Sequence, residues 1–514
     1  MSSHTALVWF RRDLRLHDNE ALVDACGADR VVPVYCFDPR NYGQQPYGGP
    51  DSFDVRKTGF HRLRFRLESV ADLRSSLRDR GSDLVVRIGR PETVLPDVAT
   101  AVGADSVSMH TWPTPEERQV ESAVQQALGD VGVESRRFWG HTLTHPDDLP
   151  MDLDALPDTY TTFRKAVEND ASIREPLHTP ALPALPDSVP EPGEIPALSD
   201  LDEDVSNAAQ AEDESSTSPR DAQVAPFEQT ASSEQATPSE QATPSFEGGE
   251  TAGRERVESY IWEGDHLREY KETRNGLVGR DYSSKFSPWL NEGCLSPRYV
   301  QSEVERYEDV RVSNDSTYWL TFELRWRDFF QFQTAKHGGK FFQRSGIRNR
   351  TDIDWRDDDA QFDRWAAGET GIPFVDAAMR ELNATGYVSN RARQNAASFL
   401  ANNLRLDWRR GAAYFETQLV DYDPASNYGN WAYIAGVGND SRDRYFDIVA
   451  QARRYDADAE FVTHWLPELT DLPPEYAHEP WKLTDAEQAD YGVQLGIDYP
   501  EPMVDLDASS EKLD

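Results

Sequence analysis

The chain has 514 residues, 91 acidic and 53 basic, with a formal charge of −38 at pH 7 and an apolar content of 38%. Only eight of the cations are Lys; an acidic surface built on Arg stays hydrated in multimolar salt, so a halophilic, archaeal cytoplasm is expected over an ordinary acidic protein. No run of about 18 apolar residues is present to cross a membrane, so a soluble, intracellular protein is expected.

Arg11 and Arg12 are followed by Asp13 and Asp18 rather than by an apolar stretch, which argues against a twin-arginine export signal. Short β-rich runs at 6–10, 31–37, 84–88, 106–110 and 134–138 alternate with helical patterns at 63–80, 91–102 and 115–128. That alternation predicts a doubly wound parallel sheet with helices on its faces, an α/β fold. The first strand-to-helix turn, FRRDLRLHDN, lacks GxGxxG, so a nicotinamide dinucleotide is disfavoured. Cys26, Cys36 and Cys294 have no CxxC spacing and read as small buried hydrophobes. His141 and His145 lack a third ligand and precede Pro146, so no metal is assigned.

Residues 176–255 are rich in Pro, Ser, Glu, Ala and Thr, poor in aromatics, and contain a tandem SEQATP at 233–244. Such composition cannot bury enough apolar surface to fold, so a solvated spacer is expected, with a partner-binding tail as the alternative. Helical periods then dominate, and this half holds ten of the 13 tryptophans. The expected organisation is an α/β unit over 1–145, a connector with a disordered acidic insert over 146–255, an all-α unit over 256–481 and an acidic tail over 482–514.

Three clusters carry chemistry. In DYSSKFSPWL, the hydroxyls of Ser283, Ser284 and Ser287 precede Pro288 at a helix start, where free N–H groups hold anions or merely receive a cap. Asp421 and Asp423 flank a turn at Pro424 and fit an acid–base pair, a metal site or a cap. Glu323, Trp326 and Arg327, and likewise Asn390, Arg391 and Gln394, each fall on one side of a helix.

Four ordered blocks resemble the photolyase and cryptochrome family: WFRRDLRLHDN (9–19), DYSSKFSPWLNEGCLSPR (281–298), FELRWRDFF (322–330) and NATGYVSNRARQNAASFLANNLRLDWRRGAAYFETQLVDYDPASNYGNWAYIAGVGND (383–440). Gln394, Tyr433 and FWGHTLTHPDDLP (138–150) resemble its DASH branch, since other repair photolyases usually carry Met and Trp at the first two positions.

The resemblance implies an FAD-binding helical domain. Ser283, Ser284, Lys285, Phe286 and Ser287 form its diphosphate loop, with Tyr270 and Arg327 as further contacts. Asp421, Tyr422 and Asp423 face the flavin, Asp421 pairs with Arg393, and Asn427 lies beside flavin N5. Plant receptor cryptochromes usually place Asp there, so Asn427 points to photolyase chemistry. Trp326 is expected to stack on an extruded pyrimidine dimer and Glu323 to hydrogen-bond or protonate it. Arg274, Asn390 and Arg391 would meet the DNA, beside a looser pocket bounded by Gln394 and Tyr433. Trp431, Trp408 and Trp355 match the electron-transfer tryptophans, running from flavin to surface. Glu117 matches an acidic residue that binds the pterin of 5,10-methenyltetrahydrofolate, with a deazaflavin as the other antenna. The implied activity is light-driven cleavage of pyrimidine dimers, preferentially in single-stranded DNA, by a monomer; the alternative is a blue-light receptor signalling through partners. A thermal flavin reductase lacks a recognisable NAD(P)H site.

Overall fold

The structure is a computed structural model and describes residues 4–48, 52–186, 188–189, 191–202, 246–439, 445–506 and 509. The chain opens with β1 (Thr5–Phe10), β2 (Arg30–Phe37), the short pair β3 (Gln44–Pro46) and β4 (Asp54–Arg56), then β5 (Val85–Ile88), β6 (Ser106–His110) and β7 (Glu134–Phe138). Five of them form a parallel sheet in the order β5-β2-β1-β6-β7, with Thr5 opposite Arg30 and Ala6 opposite Ser106. β1 and β6 are buried at every residue, as strands covered by helices on both faces must be, whereas the polar β7 lies at an edge. The helix Pro91–Val102 starts at a proline whose missing N–H costs nothing there and stops at Gly103, left-handed at φ +65°.

The second half is helical. Its spine is the helix Asp315–His337, capped by Asn314 through the N–H groups of Ser316 and Thr317. Around it lie the helices Pro373–Thr385, Asn390–Ser398, Trp408–Gln418 and Pro424–Ile434. One apolar core fills this half, while a second runs across the seam and joins Val8, Phe10 and Leu63 to Val257, Phe286 and Leu295. Gly293 is obligatory in the seam: at φ +72°, an added Cβ would sit 2.1 Å from the Arg12 carbonyl. Arg298 pins the same seam through Asp18 at 2.8 Å and Glu20 at 2.9 Å.

Two expectations are corrected. The stretch expected to be a solvated spacer packs at both ends. Val86, on the edge strand β5, donates to the Pro192 carbonyl at 2.7 Å, Arg87 donates to Glu191 and Pro192 carbonyls, and Asp202 is buried against Arg56. Covering an exposed strand edge satisfies backbone donors that composition does not reveal. On the far side, Phe246 is buried and Glu250 opens the helix Glu250–Val257. The SEQATP repeat falls among 203–245, outside the described residues. The C-terminal stretch is likewise no free tail. Tyr499 is 1% exposed, its hydroxyl donating to the buried Asp376 at 2.6 Å, and the Met503 N–H donates to the Thr370 carbonyl at 2.9 Å.

Candidate active site

The loop before the helix Ser287–Asn291 is shaped by one arginine. Arg256 donates to the carbonyls of Arg280, Ser283 and Ser284 at 3.3, 3.1 and 3.0 Å and to Asp281 Oδ1 at 2.6 Å. With those carbonyls drawn to one side, the following N–H groups face the other. Among the described residues, no protein acceptor takes the backbone N–H groups of Tyr282 to Phe286. Lys285 is held left-handed at φ +52°, its Nζ donating to the Gly279 carbonyl at 2.6 Å. A concave run of unpaired N–H groups suits a phosphate-bearing cofactor. Phe286 contributes only backbone to this cradle, because its ring is buried against Tyr260. Tyr270 is buried beside the loop. Arg327 spends its donors on the Leu290 carbonyl at 3.1 Å, Asn291 Oδ1 at 3.3 Å and the His141 carbonyl, so it braces the cradle rather than pointing a free fork into it.

Asp421 gathers the cradle's other wall. Its Oδ2 accepts from Arg393 at 2.9 Å and from the Ser287 hydroxyl at 2.7 Å, while its Oδ1 is buried without a partner. A buried orphan acceptor calls for a donor on a ligand. Asn427 donates from Nδ2 to the Ala412 carbonyl at 2.8 Å, which leaves its Oδ1 on the opposite side of the amide. Asp423 serves as a cap, accepting from the Ser426 N–H at 2.7 Å and from Gln331 Nε2 at 2.8 Å. Tyr422 departs from its expected place: its ring lies under the Arg62 guanidinium at 4.6 Å, and burial, then Glu416 and Glu116, push its phenol well above the ordinary value. It faces the seam near Glu117. There Glu117 pairs with Arg12 at 3.0 Å, and the Arg12 guanidinium lies over Trp112.

Several of the residues expected at a lesion pocket contact one another. Glu323 meets Arg274 at 2.5 Å and is 30% exposed; burial raises its carboxyl above the ordinary value, with Arg274 opposing. Trp326 stands edge-on to Tyr433 at 6.5 Å, and Arg391 donates to Gln394 Oε1 at 3.0 Å. Asn390, the first residue of its helix, is exposed. A residue missed in the sequence packs beside Trp326. Tyr160 stacks on Trp326 with centroids 3.7 Å apart and planes 12° from parallel. It comes from a helix, Tyr160–Asp170, within the expected connector, and only the spacing of Tyr160, Phe163 and Val167 hinted at a buried face.

Trp431 and Trp408 are buried at 2% and 0% exposure, and Trp355, expected to end at the surface, is only 7% exposed. Trp431 lies over Gly411, where an added Cβ would stand 2.3 Å from its ring. Trp408 and Trp355 are linked through Arg344, whose carbonyl accepts from Trp408 Nε1 at 3.1 Å and whose Nη2 donates to the Trp355 carbonyl at 3.0 Å. Trp365 also meets Trp431, at 6.1 Å and nearly perpendicular.

The family description "DNA photolyase" matches residues 6–186, and "FAD binding domain of DNA photolyase" matches 319–514. A Cryptochrome DASH of Natronomonas pharaonis is 57% identical over 510 residues, covering 99% of this chain and 100% of the relative. One from Gloeobacter violaceus is 51% identical, covering 98% and 94%. The chain belongs to the cryptochrome DASH branch of the DNA photolyase family. The Synechocystis sp. PCC6803 cryptochrome superposes with a TM-score of 0.88 at 45% identity, covering 100% of this chain and 99% of the other. A class III photolyase from Agrobacterium tumefaciens gives 0.80 at 28%, covering 100% and 96%. Membership makes this a light-dependent, flavin-based protein of photolyase type. Among the described residues, no helix is long and apolar enough to cross a membrane.

Proposed function

We propose that the chain reverses cyclobutane pyrimidine dimers under blue light, acting on single-stranded or looped DNA in preference to intact duplex. The observation that carries this reading is the joint placement of Glu323, paired with Arg274 at 2.5 Å, and of the Trp326–Tyr160 stack one turn along the same helix. A carboxyl at this position can hydrogen-bond the dimer, and a braced indole gives an extruded base pair a flat surface.

FAD, when bound, supplies light absorption and a one-electron reductant. This chain's residues do the rest. The N–H groups of Tyr282 to Phe286 hold the diphosphate, with Ser283 and Ser284 adding hydroxyls and Ser287 anchoring Asp421. Arg393 and the Ser287 hydroxyl hold Asp421 in place, so its free oxygen presents a fixed acceptor to the ring. Asn427 offers an amide oxygen but no readily lost proton, which favours repair over a proton-coupled signalling switch. Trp431, Trp408 and Trp355 relay electrons inward. Glu117 and Arg12, beside Trp112, form the antenna site, where a carboxylate matches the ring donors of a pterin better than a deazaflavin. The protein acts as a cytoplasmic monomer, with the α/β unit over 1–145 serving the antenna and the helical unit from 256 onward the reaction.

Preference for unpaired DNA follows from energetics. At multimolar salt the Debye length is about 3 Å or less, so phosphate contacts through Arg274 and Arg391 are weak. Flipping a lesion from duplex costs a few kcal/mol and is least costly in unpaired DNA. A pocket closed by Gln394 and Tyr433 in place of larger apolar groups has less binding energy to offset that cost. Glu323→Ala should lose nearly all repair of a thymine dimer in single-stranded DNA while its flavin absorption stays intact. A fully active variant would remove Glu323 from the site.

A further inference from the structure

Lys285 is 4% exposed, yet among the described residues it has no carboxylate within ion-pair reach. Its ammonium meets the Gly279 carbonyl and two aromatic faces, Tyr282 at 4.1 Å and Tyr387 at 5.5 Å. Two neighbouring cations do have partners: Arg256 pairs with Asp281 at 2.6 Å and Arg393 with Asp421 at 2.9 Å. An unpaired buried charge is costly, and a lysine escapes that cost by shedding its proton. The residue type is informative too. Only eight of the 53 basic residues are Lys, and an Arg at this position would stay charged at every working pH.

The groups that face Lys285 leave this escape open. Burial pushes its ammonium down to about 7; Arg256 and Arg280 press the same way, while Glu381 and Asp281 oppose. Glu381, on the helix Pro373–Thr385, is 2% exposed and has a buried Oε2 without a partner. Burial pushes its carboxyl up, against the pull of Lys285 and Arg393, so it inclines to the neutral acid and compensates little positive charge. Tyr282 and Tyr387 are held above the ordinary phenol value, chiefly by burial, and stay neutral.

We propose that the cradle binds the diphosphate of its cofactor with uptake of one proton from solvent, accepted by Lys285 Nζ, an inference that rests on the cofactor cradle assigned above. In the empty cradle the amine is neutral and costs little to bury. A dianionic ligand favours the ammonium, so the N–H groups of Tyr282 to Phe286 are joined by a cation that forms only when the ligand is there. Being buried, that cation is screened by multimolar salt far less than a surface lysine would be. Below about pH 7 Lys285 is already charged, and affinity does not depend on its proton. Above that, loading must draw a proton from solvent, so affinity falls as pH rises, about tenfold per unit, until the loaded site itself deprotonates.

The test is titration calorimetry of the cofactor-stripped full-length chain with FAD, and with riboflavin as a phosphate-free probe, in multimolar potassium chloride and in buffers of different ionisation heat. At pH 8 the wild type should take up about one proton with FAD and none with riboflavin, a count that needs no variant. Its dissociation constant for FAD should rise about tenfold per pH unit above pH 7. Lys285→Arg, charged throughout, should bind FAD without proton uptake and with a flat pH profile. Lys285→Met should also bind without uptake, and at pH 6 roughly tenfold more weakly than the wild type, the loss of one charged contact. Far-UV circular dichroism and the thermal midpoint confirm that each variant folds. FAD binding by the wild type without proton uptake, or uptake that survives in both variants, would overturn the role of Lys285 and leave the cradle standing. Equal affinities for FAD and riboflavin would overturn the cradle, and the inference with it.

Discussion

Tyr160 and Trp326 lie face to face, 3.7 Å between centroids, although the first comes from the connector and the second from the central helix. The Tyr160 hydroxyl donates to the Phe322 carbonyl at 2.8 Å, one turn before Trp326 on the same helix, so the ring is anchored at both ends of its contact. Tyr160→Ala should destabilise the protein by about 3–5 kcal/mol, as deletion of a buried aromatic does. It should also weaken lesion binding, because Trp326 loses the surface that orients it. Tyr160→Phe, which gives up only one hydrogen bond, should cost about 1 kcal/mol. Urea midpoints and dimer titrations of the two variants check this; equal effects would mean that the stack does not hold the indole.

Trp431 is buried one helical turn from Asn427 along the helix Pro424–Ile434. Trp431→Phe should abolish photoreduction of oxidised FAD and leave FAD content unchanged. Flash or steady-state absorption reads both, and photoreduction at the wild-type rate would show that the assigned relay is wrong.

Gly411 exists for Trp431. Because an added Cβ would lie 2.3 Å from the indole, Gly411→Ala must displace the ring or the helix, at about 1–3 kcal/mol for an overpacked site. The thermal midpoint should drop and photoreduction should slow together. A variant with wild-type stability would mean that the two helices part freely here.

Acid should loosen the seam between the two halves. Glu250 accepts from His17 at 2.7 Å and from the Leu16 N–H at 2.6 Å. Burial pushes its carboxyl up, but His17, that N–H and Arg254 together bring it down to about 2. A folded-state value below the unfolded one means stability that is complete above about pH 4.5 and is lost as pH falls toward 2, about 3 kcal/mol in all. His17 is held below its ordinary value, chiefly by burial, so it too destabilises on acidification, starting below about pH 6.5. Glu250→Gln should flatten the stability profile between pH 4.5 and 2 in chemical denaturation; an unchanged slope would dismiss this pair as the acid-sensitive contact.

The sheet was legible because buried parallel strands read as apolar runs and their helices end at Pro and Gly: the helix expected at 91–102 is the one observed. Less legible was anything decided by contact between distant segments. Residues 176–202 look unfoldable by composition, yet Pro192 needs only a carbonyl to complete the edge of β5. Tyr499 near the acidic C-terminus owes its burial to Asp376. At the site, the Asp421–Arg393 pair was anticipated from the resemblance, while Tyr160 and Arg256 were not. Each acts through a partner far along the chain, and no local pattern encodes that. Phe286, expected in the diphosphate loop, turns its side chain into the core.

The central claim is most directly tested by light-dependent repair of one thymine-dimer sequence presented single-stranded and in intact duplex, in multimolar salt with the reduced holoenzyme. The account predicts rapid repair of the single strand under blue light, none in the dark, and much slower repair of the duplex. Repair of neither substrate would contradict the assignment as a lyase, and equal rates on both would contradict the preference for unpaired DNA.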